Sequence, residues 1–208
     1  MRNISNLKIE RELWAKGRSF IAGVDEAGRG SLLGAVVAAA VILPCELVID
    51  GIKDSKQLTA KRRKYFYEII VQKALAFAIG VVNESIIDLI NIRQAALLAM
   101  KMAVISLKVK PDYVLIDGCD KILVDIPQRS VVKGDCLSQS IAAASVLAKV
   151  ERDNMCLEWD EECPGYNIGV NKGYGTKEHR ELLLAKGPAP LHRRTFLKKI
   201  YSRAGESY

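Results

Sequence analysis

Two histidines and five cysteines are all the imidazole and thiol ligands this chain has, and no two of the cysteines form a CxxC pair. Cys45, Cys119, Cys136, Cys156 and Cys163 are odd in number and scattered, and His179 and His192 stand apart from them. That spacing speaks against a structural zinc site. No secretory pattern opens the chain, because Met1–Lys16 mixes charged and apolar residues, so reduced thiols in a cytoplasmic protein are expected. A membrane-length apolar run is also missing. The longest, Gly34 to Leu43, is about half of what a crossing needs and fits a strand buried on both faces. There is no internal repeat, low-complexity tract or linker. With 208 residues, 50% of them apolar and 26% charged, the chain suits one well-buried domain with a short appendage.

The net charge of +7 is unevenly placed. Lys172 to Arg203 holds nine Lys or Arg against Glu178 and Glu181, a surplus of seven that equals the whole chain's excess. Such a segment fits a polyanionic partner such as nucleic acid, and fits equally a solvated, solubilising surface. Strands are expected at Phe20–Asp25, Gly34–Leu43, Ala76–Val82, Tyr113–Asp117 and Arg129–Val132, the first ending at the turn Ala27-Gly28-Arg29-Gly30. Thr59 reads as the N-cap of a helix through Val71. Glu84 to Lys108 reads as one helix, wet only along Asp88, Asn91, Gln94, Lys101 and Lys108. Further helices are expected from about Leu137 to Trp159 and from Thr176 to the Gly187-Pro188 stop. The order implies an α/β domain on a mixed sheet whose first strands form a meander, with the basic tail packed beside it.

Four carboxylates fall where strands end. Asp25 and Glu26 close the first strand, Asp117 closes Tyr113-Val114-Leu115-Ile116, and Asp135 stands between the last strand and a long helix. Ligands in α/β sheets gather beyond the carboxyl ends of strands. Clustered carboxylates repel unless a cation sits among them, and all-oxygen ligands select hard ions such as Mg²⁺ or Mn²⁺. Each residue has a plainer explanation as well. Asp25-Glu26 and Asp117-Gly118 could be turn chemistry, and Asp135 could be a helix N-cap worth about 1 kcal/mol. Asp153 competes with Asp135 for the fourth place. The two are 18 residues apart, roughly 27 Å along a helix, so both cannot reach one site, and Asp135 lies nearer the strand ends.

The stretch Gly23-Val24-Asp25-Glu26-Ala27-Gly28-Arg29-Gly30 resembles the signature of the ribonuclease HII family, the type 2 ribonucleases H. Asp54-Ser55-Lys56, Val114-Leu115-Ile116-Asp117-Gly118, Lys133-Gly134-Asp135, Ser140 to Ser145 continuing to Asp153, Lys172-Gly173-Tyr174-Gly175-Thr176 and His192-Arg193-Arg194-Thr195-Phe196 resemble further family blocks, in family order. The resemblance implies a ribonuclease H-like mixed five-stranded sheet flanked by helices, as a single domain over 1–208 with a basic helical appendage from about 176. It implies that Asp25, Glu26, Asp117 and Asp135 are catalytic and bind Mn²⁺ or Mg²⁺, two ions during catalysis. By the same resemblance Gly28, Arg29 and Gly30 read the ribose 2′-hydroxyl, largely through backbone. Tyr174 contacts that hydroxyl and stacks on the next deoxyribose, and Lys56 touches a backbone phosphate. Lys61, Arg62, Arg63 and Lys64 follow in a helix's first turns, where positive charge opposes the macrodipole and a phosphate would offset the conflict. His179 and His192 are given no catalytic role, although His179 follows Tyr174 closely. Ser31 departs from the proline that many family members carry after Gly-Arg-Gly. Arg29 and the lack of a large N-terminal extension favour ribonuclease HII over ribonuclease HIII.

The implied reaction is two-metal hydrolysis of the phosphodiester 5′ of a ribonucleotide, in RNA–DNA hybrids or at single ribonucleotides embedded in duplex DNA, leaving 3′-hydroxyl and 5′-phosphate ends. The chain is expected to act as a monomer without membrane contact. Two other classes compete. A sugar-kinase-like or chaperone-like ATPase would need a second nucleotide-binding lobe. A non-catalytic nucleic-acid binder would have no use for four carboxylates at strand ends.

Overall fold

Small and β-branched residues in one continuous run give Val36–Ile42 two apolar faces, and all seven of its residues are buried. This strand is β2 of a five-stranded sheet. In chain order the elements of the computed structural model, which describes residues 7–52 and 55–204, are α1 (Lys8–Trp14), β1 (Ile21–Ala27), β2, a 3-10 turn (Ser55–Gln57), α2 (Ala60–Lys73), β3 (Ala76–Val82), α3 (Glu84–Ile90), α4 (Ile92–Ile105), β4 (Tyr113–Asp117), β5 (Gln128–Val131), α5 (Gly134–Leu137), α6 (Gln139–Glu162), α7 (Ile168–Asn171), α8 (Lys177–Lys186) and α9 (Arg194–Ala204). The sheet order is β3-β2-β1-β4-β5. β1, β2 and β3 form the expected antiparallel meander, and β4 and β5 add to β1 in parallel. The parallel step from β4 to β5 is made without a helix. Its loop is held by the Gln128 side chain, which accepts from Ile122 N (3.0 Å) and donates to Ile122 O (2.9 Å).

The strand period sorts side chains between two helical layers. Ala22, Val24, Val36, Ala38, Ala40, Val114 and Ile116 pack with Ala95, Ala96, Ala99, Met100 and Ala103 of α4. Ala27, Ala39 and Val41 pack on the other face with Ala142, Ala143, Val146 and Leu147 of α6 and with Phe66 and Ile70 of α2. Small residues on both partners let α6 lie close to β1. A Cβ on Gly23 would stand 2.1 Å from the Ser140 carbonyl carbon, so only glycine fits there.

Several boundaries differ from expectation for physical reasons. The expected helix over Glu84–Lys108 is two helices. Asn91 adopts φ +67° between them, and its side chain accepts from the amides of Arg93 (3.0 Å) and Gln94 (3.2 Å), capping α4. The helix expected from Leu137 is broken at Ser138, which is extended and caps α6 by accepting from Ile141 N. Asp25 and Glu26 lie inside β1, whose ladder with β2 continues to the pair Ala27–Val37. Asp135 is not an N-cap: that place is held by Lys133 in left-handed conformation, and Asp135 sits in the first turn of α5. Thr59 caps α2 as expected. Among the described residues no helix is long and apolar enough to cross a membrane.

The Gly23→Ala variant is expected to lose more than the roughly 1–3 kcal/mol typical of overpacking, because its clash is with helix backbone rather than a movable side chain. Urea denaturation checks this, and a loss below about 0.5 kcal/mol would mean that α6 is free to retreat from β1.

Candidate active site

β1 and β4 run parallel with Val24 opposite Ile116, so Asp25 and Asp117 follow side by side at the next step of the register. Their period places both on the α6 face of the sheet. Asp25 is 7% exposed, and its Oδ1 accepts from Glu26 N at 2.7 Å. Asp117 Oδ1 accepts from Gly134 N at 2.7 Å. That bond fixes the residue immediately before Asp135, itself 9% exposed, and so carries the third segment to the ends of the other two. Gly134 has no room for a side chain: a Cβ would stand 2.5 Å from Ile141 Cδ1 and 3.2 Å from Asp117 Oδ1. Glu26 points to the opposite face, where its Oε1 accepts from Arg29 Nη1 at 3.2 Å.

Electrostatics tie the carboxylates together. Burial pushes the Asp25 carboxyl well above its usual range, and the charges of Glu26 and then Asp117 push it further. The Ser145 hydroxyl, from the inner face of α6, works against this by hydrogen-bonding Asp25. Ser145 also lies 2.9 Å from the Ser55 hydroxyl, which draws the 3-10 turn towards the strand ends. Among the described residues no group of three or more His, Cys, Asp or Glu side chains closes to ligand distance, since Glu26 is turned to Arg29 and Asp117 to the Gly134 amide. The donor chemistry nevertheless suits a hard divalent cation, being all oxygen, buried and mutually repulsive. Asp54 lies outside the described residues, as does the side chain of Lys56.

Beyond β1 the chain enters a tightly held turn. Gly28 has φ +95°, and a Cβ there would stand 2.1 Å from Arg152 Nε. Gly30 is open by comparison, with Tyr174 Cε1 3.9 Å from its Cβ position. Ser31 pairs with Tyr174 in a β-bridge, Leu33 with His192 in another. Ser31 N donates to Gly28 O (3.3 Å), a bond that proline could not make. Two wholly buried arginines grip this turn from beneath. Arg152 donates to Leu33 O, Ala35 O and Lys172 O, and Arg193 donates to Gly34 O and Arg29 O. Neither makes an ion pair among the described residues. Burial, with Arg152 beside it, pulls the Arg193 guanidinium down to about 9, which leaves it charged at neutral pH. The Tyr174 ring is 37% exposed, with Lys149 Nζ 5.8 Å and Arg152 Cζ 5.6 Å from its centre.

Asp25 and Asp117 thus stand side by side at the ends of β1 and β4, with Asp135 next in the chain to the Gly134 held by Asp117 and Glu26 at the same strand end on the opposite face, and Gly28, Arg29, Gly30 and Tyr174 form one adjoining surface. Asp153 is elsewhere engaged, paired with Lys149 (2.5 Å) and Arg63 (3.5 Å). Arg63 also donates to Ser55 O and Leu58 O, so protein carbonyls and a carboxylate answer part of the charge conflict at the start of α2. Sequence reasoning missed Arg152, Arg193 and Ser145 as parts of the site. Their partners are backbone carbonyls and carboxylates far along the chain, and no local spacing marks them.

A three-stranded meander continued by two parallel strands, with carboxylates at the adjoining ends, is the architecture of the ribonuclease H-like enzymes. Residues 22–201 match the family model described as Ribonuclease HII. The chain is 54% identical over 203 residues to the ribonuclease HII of Alkaliphilus metalliredigens, covering 95% of this chain and 99% of that relative. It is 54% identical over 200 residues to that of Alkaliphilus oremlandii, covering 93% and 98%. Among solved structures, ribonuclease H2 from Pyrococcus horikoshii OT3 is similar at a TM-score of 0.75 and 25% identity, covering 90% of this chain and 99% of that one. The chain belongs to the ribonuclease HII family, and with it to the endoribonucleases of the ribonuclease H type.

Asp25 gives a pH signature. Its raised pKa means that the folded protein binds more protons than the unfolded chain above the ordinary carboxylate pKa, so the ionised carboxyl destabilises the fold as pH rises. In chelator at pH 7, Asp25→Asn is therefore expected to melt above the wild type, and the gap should shrink towards pH 4. Each tenfold displacement of the acid equilibrium is worth about 1.4 kcal/mol, roughly 3–6 °C for a chain of this size. A variant that melts lower across the whole range would show that Asp25 is not under repulsion.

Proposed function

We propose that this chain hydrolyses the RNA strand of RNA–DNA hybrids and cuts 5′ of single ribonucleotides embedded in duplex DNA, leaving 3′-hydroxyl and 5′-phosphate ends. The observation that carries the reading is the buried Asp25 carboxyl set between the charges of Glu26 and Asp117 at adjoining strand ends. In this reading Asp25, Glu26, Asp117 and Asp135 hold two divalent cations, Mn²⁺ or Mg²⁺. When bound, such ions supply water activation and stabilise charge on the leaving oxygen in an in-line displacement.

The residues around the carboxylates position the substrate. Gly28, Arg29 and Gly30 offer backbone groups to the 2′-hydroxyl, the group that separates RNA from DNA locally. A turn held at Arg29 O by the buried Arg193 guanidinium and packed at Gly28 on that of Arg152 is suited to this, because rigid donors lose little entropy on binding. Tyr174, half-exposed beside Gly30, gives that hydroxyl a further partner and a face on which the neighbouring deoxyribose can rest. Arg29 and Lys56 take backbone phosphates, Arg29 exchanging Glu26 for the substrate. The chain would work as one domain and as a monomer in the cytoplasm, its basic α8 and α9 lending charge to the duplex.

A labelled DNA duplex with one ribonucleotide, incubated with Mg²⁺ or Mn²⁺, tests this. Cleavage on the 5′ side is expected, lost with chelator. Ser145→Ala should lower kcat by roughly 10–100-fold, the usual effect of removing a group that orients a metal ligand, and Asp117→Asn should lower it further. If neither this duplex nor a continuous hybrid is cut in either metal, the reading fails.

A further inference from the structure

The segment Ser31–Gly34 is clasped from two sides. On one side Leu32 N donates to Gly173 O (2.8 Å) and Ser31 bridges Tyr174. On the other, Arg193 N donates to Leu32 O (2.8 Å), Gly34 N donates to Leu191 O (2.9 Å) and Leu33 bridges His192. The two clasping segments are joined beneath by a pair of histidines, His179 0% and His192 1% exposed. Their Nε2 atoms are 3.1 Å apart. His192 Nδ1 lies 3.0 Å from Ala189 N and 3.3 Å from Ala189 O, and His179 Nδ1 lies 3.0 Å from Tyr174 O.

We propose that His179 and His192 are positioning residues, a hydrogen-bonded relay that fixes Tyr174 against the Gly28–Gly30 turn and thereby sets selectivity for an RNA–DNA junction over a continuous hybrid. The proposal rests on the reading of Tyr174 as a sugar contact. The direction of the relay follows from hydrogen counting. Tyr174 O can only accept, so His179 carries its proton on Nδ1 and its Nε2 accepts from His192 Nε2–H. His192 Nδ1 is then left to accept from Ala189 N rather than to donate to Ala189 O. The reverse arrangement would satisfy Ala189 O but set a nitrogen lone pair against the Tyr174 carbonyl. Burial keeps both imidazoles neutral, holding His179 low and His192 at about 4, where the neighbouring His179 adds to the effect. Tyr166, 5.0 Å from His192 and 6.3 Å from His179 between ring centres, closes the relay from its edge. Nothing in the relay touches the carboxylates, so its effect should fall on substrate choice more than on the chemical step.

Two amide substitutions separate the halves of the relay. Asn places its N–H near an imidazole Nδ1, and Gln near Nε2. His179→Asn keeps a donor for Tyr174 O, whereas His179→Gln keeps only the link to His192. The readout is the ratio of kcat/KM on a duplex with one embedded ribonucleotide to that on a continuous hybrid, with Tyr174→Ala as reference and melting temperature recorded for each variant. His179→Gln is expected to lower the ratio about threefold to tenfold, the equivalent of one hydrogen bond, in the direction of Tyr174→Ala, while His179→Asn stays near the wild type. If Tyr174→Ala lowers the ratio and His179→Gln does not, or if both His179 variants lose both activities in step with stability, the relay is overturned. If Tyr174→Ala leaves the ratio unchanged, the reading of Tyr174 itself has failed and the proposed selectivity goes with it. Nitrogen-15 NMR of the wild-type protein gives a check that needs no variant. The Nδ1–H tautomer at His179 and the Nε2–H tautomer at His192 are expected, with no titration of His192 between about pH 6 and 8. The opposite tautomers would overturn the relay.

Discussion

The approach of α6 to β1 governs where the carboxylates can stand. The two backbones are so close that position 23 accepts no side chain, and the facing turn of the helix is built from Ala142, Ala143 and Ala144. At that separation Ser145 reaches Asp25, and Ser145 meets Ser55. Upstream, Ser138 caps α6 and donates to the buried Glu10 at 2.6 Å, tying α1 to the helix start. Gly134 then lies against Asp117, with Asp135 next in the chain. A retreat of α6 by even one methyl radius would separate Asp135 and Ser145 from the strand ends together.

Charge is distributed to suit that geometry. The buried Asp25 carboxyl, its proton affinity raised by the charges of Glu26 and Asp117, stands at the strand ends, and two buried guanidiniums lie beneath the following turn, bonded to backbone carbonyls. Buried charge of either sign is costly unless it is hydrogen-bonded or paired. The arginines meet that requirement largely through carbonyl oxygens, although Arg193 Nη2 has no partner among the described residues. Folding energy is thus committed to a rigid turn and a repulsive cluster, side by side. Such strain is expected at a functional edge and has no evident use in a purely structural one.

Much of this was legible in the chain. β3 and β4 coincide with their expected bounds, because each is an apolar run between clear turn signals. Asp25, Glu26 and Asp117 stood out because they follow such runs directly. The break at Asn91 was not legible: Glu84–Lys108 keeps its helical pattern across it, and only a positive φ, which Asn tolerates, separates two helices. Arg152 was hidden by its neighbour, since Glu151-Arg152-Asp153 draws notice for Asp153 as a rival carboxylate while the arginine beside it is wholly buried. The histidine pair was hidden by distance, His179 and His192 being brought together only by the return of the chain from α8. Interactions carried by backbone carbonyls and by chain reversal leave no periodic trace, and these are the ones that a reading by spacing misses.

In the proposed function, the carboxylates at the ends of β1 and β4 and at the start of α5 form one site for divalent cations. Calorimetric titration of the wild-type protein with Mn²⁺, beside Asp25→Asn and Asp117→Asn, tests it most directly. The account predicts binding to the wild type that weakens at least about tenfold in each variant, since either change removes a charge from a shared site. Equal affinity in all three proteins would contradict it, because the carboxylates would then not be acting on a common ion.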